Sequence, residues 1–321
     1  MARAYFICPD TDVPSGGVRV IYRHVAHLTA AGIDAAVVHQ QIGFQVTWFE
    51  DDVPVVYADE ITPTGDDLLV IPEIYGPNLA AIGPGVPKAI FNQNVYNTFK
   101  GYPAIPSGAP TPYAHPEVRA AVVVSEDNRA YLRHGFPGLD VRRTVNCVDP
   151  ALFHPAVKRR QLAFMPRKHA DEAQQVLHLL TARGALDGVD VVALDNMTER
   201  QVAAALRETL MFLSFGYPEG CPCPPKEAMA AGCAVVGYHG MGGRDYIKPP
   251  HAYPVDQGDI VAYARLVEEL LAGDQSELER VGREASAFVH QTYSEQAERD
   301  SAVAVWGDLL LGASAPLARA A

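Results

Sequence analysis

The sequence predicts an α/β protein made of two doubly wound parallel-sheet domains in series. Short apolar runs of a few residues alternate with longer stretches of helical periodicity, the pattern of a parallel sheet whose crossovers are helices. The alternation breaks at the Pro-containing stretch Asn146–Pro155 and then starts again, which divides the chain into an N-terminal domain, residues 1–149, and a C-terminal domain, residues 150–321. With 321 residues, 48% of them hydrophobic, there is material for two cores of about 150 residues each.

The elements follow in order. Ala4–Cys8 is an apolar run that reads as the first buried strand. The loop Asp10–Gly17 leads to Val18, Ile21, Tyr22, Val25 and Leu28, spaced as one face of a helix, and Gly32 stands where a C-cap belongs. Further strands are expected at Ala35–Val38, Leu68–Ile71, Ala89–Phe91 and Ala121–Val124, and a helix over Asn128–His134. The second half repeats the scheme, with strands at Leu162–Met165, Val189–Leu194, Met211–Ser214 and Ala234–Gly237. Its helices are expected over Ala170–Leu180, Glu199–Leu210, Lys226–Ala231, Ile260–Leu271 and Ser276–Val289.

Charge and composition exclude several functions. The balance of 26 basic against 38 acidic residues leaves a net of −12, which opposes general nucleic-acid binding. The cluster Lys158-Arg159-Arg160 reads as a solvated face or linker. Five cysteines with no CxxC pair suggest no disulfide framework and fit a reducing cytosol. Cys221 and Cys223 have no matching second pair, so a zinc site is not expected. The N-terminus lacks the features of a signal peptide, and no run of 18 apolar residues is present. The expected location is the cytoplasm, with peripheral contact at the inner face of the membrane left open.

The chemistry concentrates in Phe212–Gly243, FLSFGYPEGCPCPPKEAMAAGCAVVGYHGMGG. It reads as strand, loop, helix, strand and glycine-rich loop. Glu219 lies in the first loop, and Glu227 follows eight positions later, in the expected first turn of the helix behind Pro224 and Pro225. A helix start offers unpaired N–H groups and a positive dipole end to an anion. Gly240, Gly242 and Gly243 allow close approach of backbone to a ligand. Alone, Glu227 complements a helix dipole and Glu219 is a loop acid. Together with the helix start and the glycine loop they suit a nucleoside diphosphate sugar, whose hydroxyls a carboxylate accepts and whose departing diphosphate a positive field stabilises.

The segment EGCPCPPKEAMAAG, residues 219–232, resembles the E-x7-E signature of family-4 retaining glycosyltransferases. VNCVDPALFHP (145–155) is similar to the family's interdomain stretch, AAVVVSEDNRAYLRHG (120–135) to the last strand and helix of its N-terminal domain, and PSGGVRVIYRHVAHLTAAG (14–32) to its first Gly-Gly loop and helix. The resemblance implies the GT-B fold, two Rossmann-like domains facing a cleft, with the acceptor on the N-terminal domain and the donor on the C-terminal one. It implies that Glu219 touches the transferred sugar, that Glu227 binds the ribose, and that the loop Gly220, Cys221, Pro222 and Cys223 presents amides to the sugar. Arg167 and Lys168 take the place of the family's diphosphate-holding cations. Gly16 and Gly17 approach substrate, Gln93 and Asn94 stand where many members carry a histidine, and Asn196 and Met197 stand where the nucleobase edge would lie. His39, His134 and His239 are further candidates in loops or at element ends.

Some positions depart from the family. Arg167 and Lys168 are adjacent instead of several residues apart, and Pro222 removes a backbone donor where a glycine is usual. The implied reaction moves a hexose-type sugar from a nucleoside diphosphate sugar to a hydroxyl of a glycan, a lipid-linked glycan or a small molecule. It proceeds with retention and without a bound metal. A non-catalytic nucleotide-sugar-binding subunit and an epimerase or hydrolase on the same fold are the alternatives. A Rossmann oxidoreductase is disfavoured, because no GxGxxG follows the first strand.

Overall fold

The computed structural model describes residues 2–49, 52–106, 108 and 111–313. They form two compact units: the described residues up to Asn146 together with those from Gln296 to residue 313, and Cys147–Glu295. The sequence division at 149/150 lies near the first crossing, but it leaves the C-terminal helix in the second unit, whereas that helix packs with the first.

The first unit holds β1 (Ala4–Ile7), α1 (Gly16–Ala30), β2 (Ala35–His39), β3 (Val55–Tyr57), β4 (Leu68–Pro72), β5 (Lys88–Asn92), β6 (Val118–Val123), α2 (Glu126–Gly135) and β7 (Val141–Arg143). The strands pair in parallel in the order β3-β2-β1-β4-β5-β6-β7. The edge strands β3 (VVY) and β7 (VRR) have only three residues each and are largely half-buried, too short to stand out as strands. Successive side chains of the central strands face opposite ways. Leu69, Ile71, Ile90 and Val123 meet Leu79, Val95, Tyr113 and Leu132 on one face.

Phe6 and Phe91 point to the other face, where α1 and the C-terminal helix, Glu295–Ala313, cover them. Trp306 is fully buried, its ring edge-on to Phe6 at 5.2 Å and to Phe91 at 5.3 Å. Its Nε1 donates to His24 Nδ1 at 3.0 Å. Burial pushes His24 down to about 4, so the imidazole is neutral and its Nδ1 can accept. Glu298, also fully buried, accepts from Arg23 Nη2 at 2.7 Å and meets His27 Nε2 at 3.1 Å.

The second unit holds β8 (Arg159–Phe164), α3 (Ala170–Ala182), β9 (Asp190–Ala193), α4 (Glu199–Glu208), β10 (Thr209–Ser214), α5 (Cys223–Ala230), β11 (Ala234–Gly237), β12 (Tyr253–Pro254), α6 (Ile260–Ala272) and α7 (Gln275–Thr292). Its parallel sheet runs β12-β11-β10-β8-β9. Leu162, Leu213 and Val236 pack under Val176 and Leu180 of α3 and Tyr263 and Val267 of α6. Helices α4, α5 and α7 pack on one another and on β8, β10 and β11. In the basic cluster Arg159 and Arg160 are exposed, as a solvated face requires, whereas Lys158 is half-buried. Lys158 Nζ donates to Leu206 O, Arg207 O and Ala231 O at 3.2, 3.0 and 2.7 Å, and Arg160 Nη2 to Leu271 O at 2.9 Å. Carbonyls at the ends of α4, α5 and α6 lack intrahelical partners and carry partial negative charge, which these cations satisfy. Arg159 pairs with Asp190 at 3.0 Å.

Trp306→Ala should cost the first unit about 3–5 kcal/mol of stability, read from urea denaturation followed by far-UV circular dichroism. An unchanged midpoint would mean that the C-terminal helix is not part of that unit's core.

Candidate functional site

In the second sheet the chain leaves β8 toward β9 on one side and β10 toward β11 on the other. The loops after β8 and β10 therefore rise side by side at a topological switch point, where α/β sheets bind ligands. Lys168, in the loop after β8, forms an ion pair with Glu219 Oε1, in the loop after β10. Their side chains are 42% and 20% exposed, so the pair adds little to stability while bringing two candidate groups together. His169, in the left-handed region at φ 48°, donates from Nε2 to Tyr217 O at 2.5 Å and makes a second link between the loops. Met165, Phe215, Pro222, Pro224 and Pro225 wall the recess around Lys168 and Glu219.

The backbone of Glu219 is held by the glycine loop. Its N–H donates to Gly240 O at 2.8 Å, and Gly242 N–H donates to Glu219 O at 3.0 Å, an isolated parallel bridge with Met241 opposite Glu219. Gly242 N–H also meets Gly240 O at 3.2 Å. Met241 thus sits at the centre of a γ-turn with φ 74° and ψ −70°, a conformation costing about 1–3 kcal/mol for a non-glycine residue. His239 Nδ1 accepts from Met241 N at 2.9 Å. Position 242 admits only glycine: a Cβ there would lie 1.8 Å from Gly220 O. Gly243 packs beside Pro222 and Ile247.

Helix α5 starts at Cys223, three residues before the expected Lys226, so Glu227 is its fifth residue and lies beyond the first turn. Pro222 is the N-cap, and Pro224 and Pro225 are the second and third helical residues. Of the four backbone positions 222–225, three therefore lack an N–H, and Cys223 alone retains one. The expected array of amides at this helix tip is corrected to a single donor plus the dipole. Glu227 is buried, 9% exposed. Lys226, 1% exposed, reaches Cys221 Sγ at 3.6 Å, and its ammonium lies over the Tyr293 ring at 4.8 Å. Gly220 is buried, Cys221 and Cys223 are half-buried, and the Tyr246 hydroxyl donates to Pro222 O.

Arg167 is exposed, with Nη2 3.9 Å from Met165 Sδ. Asn196 adopts φ 51° and Met197 is 37% exposed, both in the loop after β9. In the first unit, Gly16 and Gly17 open α1, and Gln93 Nε2 donates to Gly17 O at 3.0 Å. The Asn94 side chain accepts from Tyr96 N at 3.2 Å. His39 is fully buried between Tyr22 Oη at 2.7 Å and Asp10 Oδ1 at 2.9 Å, a structural placement.

Sequence reasoning missed Glu73, the residue after β4 at the switch point of the first sheet. It is 4% exposed, and its oxygens accept from Gln93 N at 3.0 Å and Asn94 N at 3.1 Å. Burial pushes its carboxyl up to about 7, against hydrogen bonds that favour the ionised form. The one signal in the sequence was an acid at the end of an apolar strand.

Among the described residues, no group of three or more His, Cys, Asp or Glu side chains is placed to hold a metal, and no helix is long and apolar enough to cross a membrane. Residues 170–288 match the profile of a family described as glycosyl transferases group 1. An alpha-1,6-glucosyltransferase of Actinobacillus pleuropneumoniae serotype 7 (strain AP76) is 28% identical over 238 residues, 70% of this chain and 69% of the relative. Two solved structures share the fold. HepE from Anabaena, in complex with UDP and glucose, aligns at a TM-score of 0.66 and 11% identity over 96% of this chain and 100% of that one. A point mutant of TarM of S. aureus, in complex with fondaparinux, alpha-GlcNAc-glycerol and UDP, aligns at 0.57 and 14% identity over 79% of this chain. The chain spans 57% of the TarM chain it matches.

Gly242→Ala should push the glycine loop off Glu219 and lower the melting temperature by several degrees in differential scanning fluorimetry, about 1–3 kcal/mol; an unchanged melting curve would refute the close packing at this position. Glu73 gives a pH signature. Its folded-state pKa is raised from 4.5 to about 7, so its stabilising contribution is complete below 4.5 and is lost as pH rises through 7. The stability of the wild type relative to Glu73→Gln should therefore fall by about 3 kcal/mol between pH 4.5 and 7.5, measured by urea titration at each pH. A difference independent of pH would show that Glu73 is not protonated by burial.

Proposed function

We propose that the chain is a glycosyltransferase of the group 1 type on a GT-B fold, and that it transfers a hexose-type sugar from a nucleoside diphosphate sugar to a hydroxyl acceptor with retained anomeric configuration. The match of residues 170–288 and the shared fold support this. The observation that carries this reading is the meeting of Lys168 and Glu219 at the switch point of the second sheet, beside the E-x7-E helix. Glu219 accepts hydroxyls of the transferred sugar. Glu227 accepts those of the ribose. Lys168 and Arg167 carry positive charge to the diphosphate, a task that side chains must do because the proline-rich start of α5 offers one amide. Lys168 and Glu219 neutralise each other in their ion pair. A diphosphate that draws off the ammonium frees the carboxylate for the sugar, so the two binding events are linked by one side chain.

The reaction breaks the bond from C1 to the phosphate oxygen and forms one from C1 to the acceptor oxygen on the same face. The acceptor proton passes to the departing phosphate. Glu219 and Glu227 are both assigned to hydroxyls, which leaves no carboxylate pair for the double displacement of a retaining glycosidase. Rate comes from positioning and charge stabilisation. The first unit takes the acceptor, a glycan, lipid-linked glycan or small molecule, with Gly16 and Gly17 aligning substrate. HepE and TarM were solved with UDP, so UDP is the first nucleotide to test.

UDP should raise the wild-type melting temperature by a few degrees, and Glu227→Ala should lose most of that shift. Equal shifts in the two proteins would remove Glu227 from the ribose. Lys168→Met should weaken UDP binding about tenfold in isothermal titration, whereas unaltered affinity would assign the diphosphate to other groups. Inverted configuration in the product, read by NMR at the anomeric proton, would overturn the stereochemical part of the reading.

A further inference from the structure

Glu73 is the strongest unexplained group of the first unit. Its carboxyl is buried at the carboxyl end of β4, next to the point where the sheet order reverses between β1 and β4. Its two oxygens take the backbone N–H groups of Gln93 and Asn94, at the end of β5. This grip fixes the turn that leaves β5. From that turn the Gln93 side chain reaches Gly17 O at 3.0 Å, and a Cβ at Gly17 would already touch the Gln93 amide at 3.5 Å. Ser15, the N-cap of α1, makes no side-chain capping bond, so Gln93 is a tether on the head of this helix. Glu73, Gln93 and Gly17 thus form one chain of hydrogen bonds across the ends of β4, β5 and α1.

A buried carboxyl is a poor choice for stability alone, because keeping it ionised away from water costs free energy. What opposes that cost here is hydrogen bonding, from the amides of Gln93, Asn94 and its own residue and from the side chain of Asn97. The phenol of Tyr113, itself shifted upward by burial, senses its charge. A buried acid with a perturbed pKa at a sheet switch point is a candidate for a functional role.

We propose that Glu73 is a positioning residue for glycosyl transfer, setting through Gln93 the first turn of α1, Gly16 and Gly17, on which substrate is aligned. The proposal rests on the function assigned to that turn above, yet the hydrogen-bond chain can be tested without turnover. In the wild type, the amide resonances of Gly16, Gly17, Gln93 and Asn94 should titrate together between pH 5.5 and 8.5. In Glu73→Gln none of the four should titrate. In Gln93→Leu the amides of positions 93 and 94 should still titrate, while those of Gly16 and Gly17 should not. With UDP-glucose as donor, both variants should lose about tenfold in turnover while UDP affinity stays within twofold of the wild type. Gly17 titrating normally in Gln93→Leu, or wild-type turnover in Glu73→Gln, would overturn the proposal. Failure of the wild type to bind UDP would instead refute the donor-site reading, with the amide titrations still deciding whether Glu73 controls the turn.

Discussion

Two backbone hydrogen bonds hold the candidate site: Glu219 N–H to Gly240 O and Gly242 N–H to Glu219 O. They join the loop after β10 to the loop after β11 and leave the Glu219 side chain aimed at Lys168. The join needs a residue without a Cβ at position 242 and a strained γ-turn at Met241. Local strain of this kind persists only where surrounding structure over-determines it. Here β10 and β11 supply that rigidity, paired in register from Met211↔Ala234 to Ser214↔Gly237 immediately before the two loops begin.

The same region shows how charge is distributed when backbone donors are scarce. Proline at 222, 224 and 225 preorganises the start of α5 and strips it of amides. The positive field there comes from the helix dipole and from lysines: the half-buried Lys168 in the loop after β8 and the buried Lys226 on α5, the latter stabilised by the faces of Tyr246 and Tyr293. Lysine is a mobile point charge where an amide is a fixed donor. A site built on the Lys168–Glu219 pair can therefore rearrange when an anion arrives, whereas a ring of amides could not.

The first unit relies on a different device. Its carboxyl edge is stitched by acids: Asp10 takes Gln40 N and Gln41 N, Asp12 takes Thr47 N, and Glu73 takes Gln93 N and Asn94 N. Each acid follows one strand and collects amides from the loop after a neighbouring one. On the far side of the sheet, the buried contacts of Trp306 with His24 and of Glu298 with Arg23 and His27 bring the end of the chain back to α1.

Much of this was legible in the sequence. Strands β2, β4, β5, β10 and β11 are largely apolar and buried along their whole length, and burial on both faces leaves no ambiguity about what such runs do. The E-x7-E spacing, the glycine loop and the doubly wound class could be read because each depends on local chemistry at short separation. Strands β3, β7 and β12 could not, since they are edge pieces of two or three residues whose pairing comes from their neighbours. The C-terminal helix hid because its buried stripe begins with Glu298 and Ala302 before reaching Trp306, and only a partner on α1 makes that glutamate an inward residue. The start of α5, the roles of Lys158 and Arg160 as caps, and the perturbed Glu73 were likewise decided by tertiary structure. Each depends on which carbonyl, amide or void lies opposite a side chain, and that is set by contacts between segments far apart in the chain, which spacing along the sequence does not encode.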